Sequence, residues 1–258
     1  MKKTKKAMTQ AEKNAAAAKR AKIIYFFTLI SFIVPIVFII IRMVFFSDSV
    51  NENEAGYHSH ADYILMIVEC LLGCFVINIP TILSRKFKFE IPIVLYAFYI
   101  IFLYCAIFLG EVRSFYYVIP GWDNILHTMS SVMLGFFGLM VVYILNRDEH
   151  VMVKLSPFFI SLFAFSFAVT IGSLWEIYEF TFDGLLGLNM QKFMTADGTV
   201  LSGHDALRDT MKDIIVDTIG AFASSTIGYF SIKYEKSWFK PKLTSDSSSE
   251  DNIKTEKN

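Results

Sequence analysis

Apolar residues run through this chain in blocks much longer than the stripe of a surface helix, and polar residues are confined to the intervals and to a few positions inside the blocks. An α-helix needs about 20 consecutive apolar residues to cross about 30 Å of hydrocarbon. Six blocks reach that length, at residues 23–46, 62–83, 91–110, 122–145, 157–182 and 208–232. None alternates with the two-residue period of a membrane β-barrel strand, and an open sheet in lipid would leave backbone groups unsatisfied. The pattern predicts an all-α polytopic membrane protein, a bundle of six transmembrane helices over residues 23–232. A basic segment, 1–22, precedes it and a tail, 233–258, follows.

Composition agrees with a lipid-facing surface. Of 258 residues 54% are hydrophobic and 26 are Phe, while charged residues make up 19%, below the roughly one quarter of soluble domains. The 24 Lys and Arg cancel the 24 Asp and Glu, so no global charge recommends nucleic acid as a partner. The partner that the composition does name is the lipid bilayer.

The cancelling charges are separated along the chain. Lys2, Lys3, Lys5, Lys6, Lys13, Lys19, Arg20 and Lys22 precede the first block; Arg85, Lys86 and Lys88 lie between the second and third; Lys233, Lys236, Lys240 and Lys242 begin the tail. The first-to-second connection has Asp48, Glu52 and Glu54 without a cation. By the positive-inside rule both termini are cytoplasmic, and Arg42, near the outer end of its span, snorkels to the interface. The first block is too long for the core of a signal peptide and Ser47-x-Ser49 is a poor cleavage site, so it reads as a retained span. The Ala-rich start reads as a solvated topology signal rather than a lipid-surface helix, and residues 244–258 as disordered. Cys70, Cys74 and Cys105 fall inside spans, where thiols act as small apolar residues, and their spacing matches no redox or zinc motif.

Ionisable residues inside spans are the informative exceptions, because each costs about 2.5–3.5 kcal/mol at mid-bilayer. Asp123 and His127 are one turn apart at the start of the fourth span, with Ser131, Gly135 and Gly138 continuing their face. Gly172, Glu176, Glu179 and Asp183 share a face of the fifth. Asp209, Asp213 and Asp217 recur every four residues in the sixth, followed by Gly220, Ser224 and Gly228. In the predicted orientation these acidic stretches all lie in the outer half of the membrane, and the small residues let the helices approach closely.

Five such acids, Asp123, Glu176, Glu179, Asp213 and Asp217, would cost about 10 kcal/mol if nothing compensated them. A divalent metal (Mg, Mn, Fe or Zn) held by Asp123, His127, Glu176, Glu179, Asp213 and Asp217 is one solution. A proton or ion pathway is a second. The third is structural, with Arg208, Lys212 and His127 pairing with the acids to hold helices together. Glu69 and Glu111 either join this cluster or face water, and His58 and His60 form only a low-specificity metal signal. Trp122 and Trp238 read as interfacial anchors, Asp197-Gly198 as a turn and Asp205 as the N-cap of the last helix. The connection 184–207 is long enough to serve as a lid or as an ordinary solvated loop.

Asp123-x-x-x-His127, the pair Glu176-x-x-Glu179 and Asp213-x-x-x-Asp217-x-x-Gly220 together resemble the VanZ-like membrane proteins and the uncharacterised bacterial family that includes YjdF. The resemblance covers residues 122–228. VanZ-like sequences tend to carry Glu-x-x-Gln where this chain has a second Glu, which adds a charge. What it implies is a bacterial plasma-membrane protein connected with the cell envelope, and it supplies no reaction. No Ser-His-Asp signature, Gly-rich phosphate loop or repeated transporter halves are visible. The expectation is a metal-dependent activity on an envelope or lipid-linked substrate, with a proton- or ion-coupled small transporter and a non-catalytic membrane scaffold as alternatives.

Overall fold

The computed structural model describes residues 10–45, 60–87, 89–147, 155–195, 198–234 and 242–243. Six of its helices are long and apolar enough to cross a membrane: Ala15–Phe45, Tyr63–Lys86, Ile93–Val112, Trp122–Tyr143, Pro157–Leu186 and Arg208–Lys233. The protein is an all-α polytopic membrane protein, and the only strands among the described residues are the dipeptides Phe89–Glu90 and Lys242–Leu243. Large apolar side chains stand exposed along these helices, among them Phe38, Phe75, Phe180 and Ile219. Such surface is stable only against lipid or a partner. The chain divides into two compact units, Met1–Val112 with Leu243–Asn258, and Arg113–Lys242.

In the first unit, α1 (Gln10–Phe45) runs without interruption from the Ala-rich stretch into the apolar block. Alanine is the best helix former, so the basic start from Gln10 onward is helical and continuous with the span rather than a separate segment. The second span is broken into α2 (His60–Val76) and α3 (Ile79–Phe87). Pro80 is the cause, since it has no N–H to give the Val76 carbonyl four residues back. The Tyr99 hydroxyl donates to that carbonyl instead, at 2.7 Å, and the Asn78 amide donates to the Cys74 carbonyl at 2.9 Å. Tyr25 in turn donates to the Asn78 side chain at 3.0 Å. The third span starts after Pro92 as α4 (Ile93–Leu103) and continues as a π-helical stretch, Tyr104–Val112. Phe32, Cys70, Ile77, Ile100 and Leu103 form the larger apolar cluster of this unit, and Thr28 and Ser31 are its buried polar residues among those described. Arg42 lies half-buried with its guanidinium 5.1 Å from the centre of the Tyr63 ring.

The second unit contains a short turn α5 (Phe115–Val118) and three long helices that pack on one another, α6 (Trp122–Arg147), α7 (Pro157–Leu186) and α8 (Arg208–Lys233). Ser156 starts α7 by accepting from Phe159 N, with Pro157 at the first helical position, and Gly187 (φ 67°) ends it in the left-handed region. Glycines set the helix separation. A Cβ on Gly172 would stand 2.3 Å from Asp217 Oδ2, and one on Gly228 would stand 2.1 Å from Leu139 Cδ1. Near the C-terminal end of α6 the core is apolar, built on Leu139, Val142, Ile160 and Ala164. Near the N-terminal end of α6 it is polar.

Candidate functional site

The polar core assembles where the start of α6, the end of α7 and the start of α8 meet. His127, Glu176, Glu179, Asp183, Asp213 and Asp217 are all buried there. The four-residue spacing places each helix's members on one face, and the close approach of Gly172 to Asp217 brings the faces together.

His127 is the hub. Its Nδ1 lies 3.2 Å from Asp217 Oδ2. With Asp217 as the acceptor the ring proton stands on Nδ1, and Nε2 faces the other acids. Nε2 lies 3.7 Å from both Asp123 Oδ1 and Glu176 Oε1, too far for a hydrogen bond. An ion about 2.1 Å from each atom spans such a gap. Ligand atoms of His127, Glu176 and Asp213 lie within 4.8 Å of one another, and so do those of Asp123, Asp209 and Asp213. Both oxygens of Glu176, Oδ1 of Asp213 and Oδ1 of Asp217 are buried without a hydrogen-bond partner. Orphaned buried carboxylate oxygens are costly, and protonation, an ion pair or a bound cation relieves the cost.

The six residues singled out from sequence thus divide by role. Glu179 lies in neither converging group and accepts from the Trp175 indole at 3.0 Å. Asp217 orients His127, and Asp123, His127, Glu176 and Asp213 present the converging atoms.

The expected cation partners require correction. Arg208 pairs with Asp205 at 2.7 Å on the exposed surface, and Lys212 is exposed. Helical residues are about 100° apart, so Lys212 points away from the face that its neighbour Asp213 presents inward. Asp205 does not cap α8 through its side chain; the helix begins after Leu207 with no side-chain cap. The cation that does enter the cluster is Lys192, which sequence reasoning passed over. Its ammonium binds Asp123 and lies 3.3 Å from Asp209 and 5.5 Å from the centre of the Tyr116 ring. The available signal was that Lys192 is the sole Lys or Arg in the connection 184–207.

The connection is built to deliver it. Asp183 accepts from Met190 N at 2.8 Å and Gln191 N at 2.9 Å, and the Asn189 side chain bonds Met194 through both N and O. Lys192, at the tip of the turn so closed, takes a left-handed backbone (φ 48°), which costs an L-residue about 1 kcal/mol. Burial lowers the affinity of its amine for a proton, but the attraction of Asp123 and Asp209 outweighs this and holds it above the ordinary lysine value.

Other positions lie elsewhere. Glu69 and Glu111 belong to the first unit, where both are half-buried. Cys70 is buried in that unit's apolar core, and the three cysteines form no disulfide. Trp122 packs edge-on against Phe115. His58, Asp197, Trp238, residues 1–9 and the tail 244–258 fall outside the described residues, as does the side chain of His60.

The fold and its buried carboxylate–histidine cluster define a class, a multi-pass helical membrane protein with a polar core in its last three spans. Residues 24–234 match the family described as "Predicted membrane protein (DUF2238)", and the chain belongs to that family. An uncharacterized protein of Thermotoga maritima is 32% identical over 124 residues, 47% of this chain and 54% of the relative, so the match spans about half of that protein's length. No solved structure matches.

Proposed function

We propose that the polar core is a divalent-metal centre with His127, Glu176 and Asp213 as protein ligands and Asp217 as the residue that orients the imidazole. The observation that carries the reading is the convergence of three buried ligand atoms within 4.8 Å, two of the carboxylates having oxygens with no other partner. The Asp217–His127 contact supports it, since ligating histidines ordinarily give their second ring N–H to a carboxylate or carbonyl. An ion held by these residues would supply Lewis-acid chemistry suited to hydrolysis of an envelope or lipid-linked substrate. That substrate class rests on the resemblance to VanZ-like and YjdF-like proteins. The same resemblance supports a bacterial plasma-membrane location, and the distribution of Lys and Arg supports cytoplasmic termini with the centre toward the outside.

Elemental analysis of the purified protein tests the reading. It predicts about one equivalent of divalent metal per chain, lost in His127→Ala and Glu176→Gln. A parent protein without stoichiometric metal overturns it.

The unpartnered oxygens of Glu176 favour a second reading, proton-coupled transport, because a buried carboxylate without a fixed donor is suited to carrying a proton. Proteoliposomes with no flux dependent on a pH gradient would remove it.

A further inference from the structure

Asp213 offers a ligand atom to two groups at once, His127–Glu176 on one side and Asp123–Asp209 on the other. The ions of two-metal sites stand about 3.5–4 Å apart, close enough for one carboxylate to serve both. The second group already holds a cation, since the Lys192 ammonium lies against Asp123 and Asp209. It also contains Asp213, which is 1% exposed and has an oxygen, Oδ1, with no hydrogen-bond partner. We infer that Asp123, Asp209 and Asp213 form a second divalent-cation seat that the Lys192 ammonium occupies in its place, so that the cluster is a two-cation centre with one position filled by the protein itself.

The donors of this seat are carboxylates alone, which suits a hard cation of the Mg or Mn type rather than a thiophilic one. The inference extends the metal reading above, but it concerns a difference between proteins and stands separately from the number of ions the parent binds. Removing the ammonium leaves three converging carboxylates with no resident cation, an arrangement that like-charge repulsion disfavours until a proton or an ion enters.

The experiment counts Mn ions bound at saturation by the full chain in detergent, for the parent, Lys192→Ala and the double variant Lys192→Ala/Asp209→Asn. The expected result is one more ion per chain in Lys192→Ala than in the parent, and its loss in the double variant. Equal numbers in the parent and Lys192→Ala overturn the inference. A parent count of zero overturns the His127–Glu176–Asp213 reading alone, because the increment is still measured. Should Lys192→Ala fail to fold, mass-spectrometric amine labelling of the parent decides: saturating Mn raises modification of Lys192 several-fold if the ion takes its place, and unchanged labelling overturns the inference.

Discussion

The two units of this protein use buried polar atoms for opposite ends. In the first, Tyr99, Asn78 and Tyr25 supply donors and acceptors that close the break which Pro80 makes between α2 and α3, around a core of Phe32, Cys70, Ile77, Ile100 and Leu103. Among its described residues the one buried side-chain atom left over is a neutral hydroxyl, Thr28 Oγ1. In the second unit Ser156, Asp183 and Asn189 likewise bond backbone groups, but the acids of the polar core do not all find partners. Glu176, Asp213 and Asp217 sit on intact helices and leave four carboxylate oxygens unbonded. Polarity that completes the backbone is a structural device. Carboxylate oxygens beyond what the fold can satisfy are where a proton or a cation would bind.

The contrast breaks if a first-unit change abolishes metal binding at the proposed centre. His127→Ala should weaken metal binding by more than 100-fold, and Asp217→Ala, which removes the partner orienting the imidazole, by about 10–100-fold. Tyr99→Phe should leave metal content at the parent level. Equilibrium dialysis against Mn or Zn checks all three, and loss of metal in Tyr99→Phe would dissolve the division of labour.

Packing supplies the next largest effect. Gly172→Val drives a Cβ into Asp217 and should cost about 1–3 kcal/mol, whereas Gly184→Val, further along the same helix and facing open space, should stay within about 0.5 kcal/mol. Thermal unfolding in detergent separates the pair. Equal stability would mean that the α7–α8 approach does not hold the polar core. Tyr99→Phe strands the Val76 carbonyl and should cost about 1 kcal/mol, read in the same assay.

Placement relative to the membrane sharpens the contrast further with little perturbation. A cysteine at exposed Ser202, in the connection between α7 and α8, should react with an impermeant maleimide added from outside the cell. Reaction only after the membrane is opened would turn the polar core toward the cytoplasm.

Much of the fold was legible in the sequence because run length alone separates a membrane span from a surface helix. The break at Ile77–Asn78 was not, although Pro80 was in view, because the hydroxyl that makes the break tolerable comes from Tyr99 on another helix. Spacing of four residues put Asp123 with His127 and Asp213 with Asp217, since that relation is internal to a helix. The facing of Asp217 to His127 came within reach only through the alternating directions of the spans. Charge partners were misassigned for a geometric reason: Arg208 and Lys212 adjoin the acids in sequence but leave α8 on other faces. Lys192 stood out only as the sole Lys or Arg of its connection, because its position depends on how Asp183 and Asn189 shape a turn, and no periodicity encodes that.

The central claim is that the second unit's leftover carboxylates and His127 hold a metal. X-ray absorption spectroscopy of the Zn-loaded full chain tests it most directly. The account predicts oxygen and nitrogen scatterers at about 2.0–2.2 Å with the multiple scattering of one imidazole. Sulfur scattering at about 2.3 Å would put the ion among the cysteines of the first unit and contradict the account, as would a spectrum without imidazole.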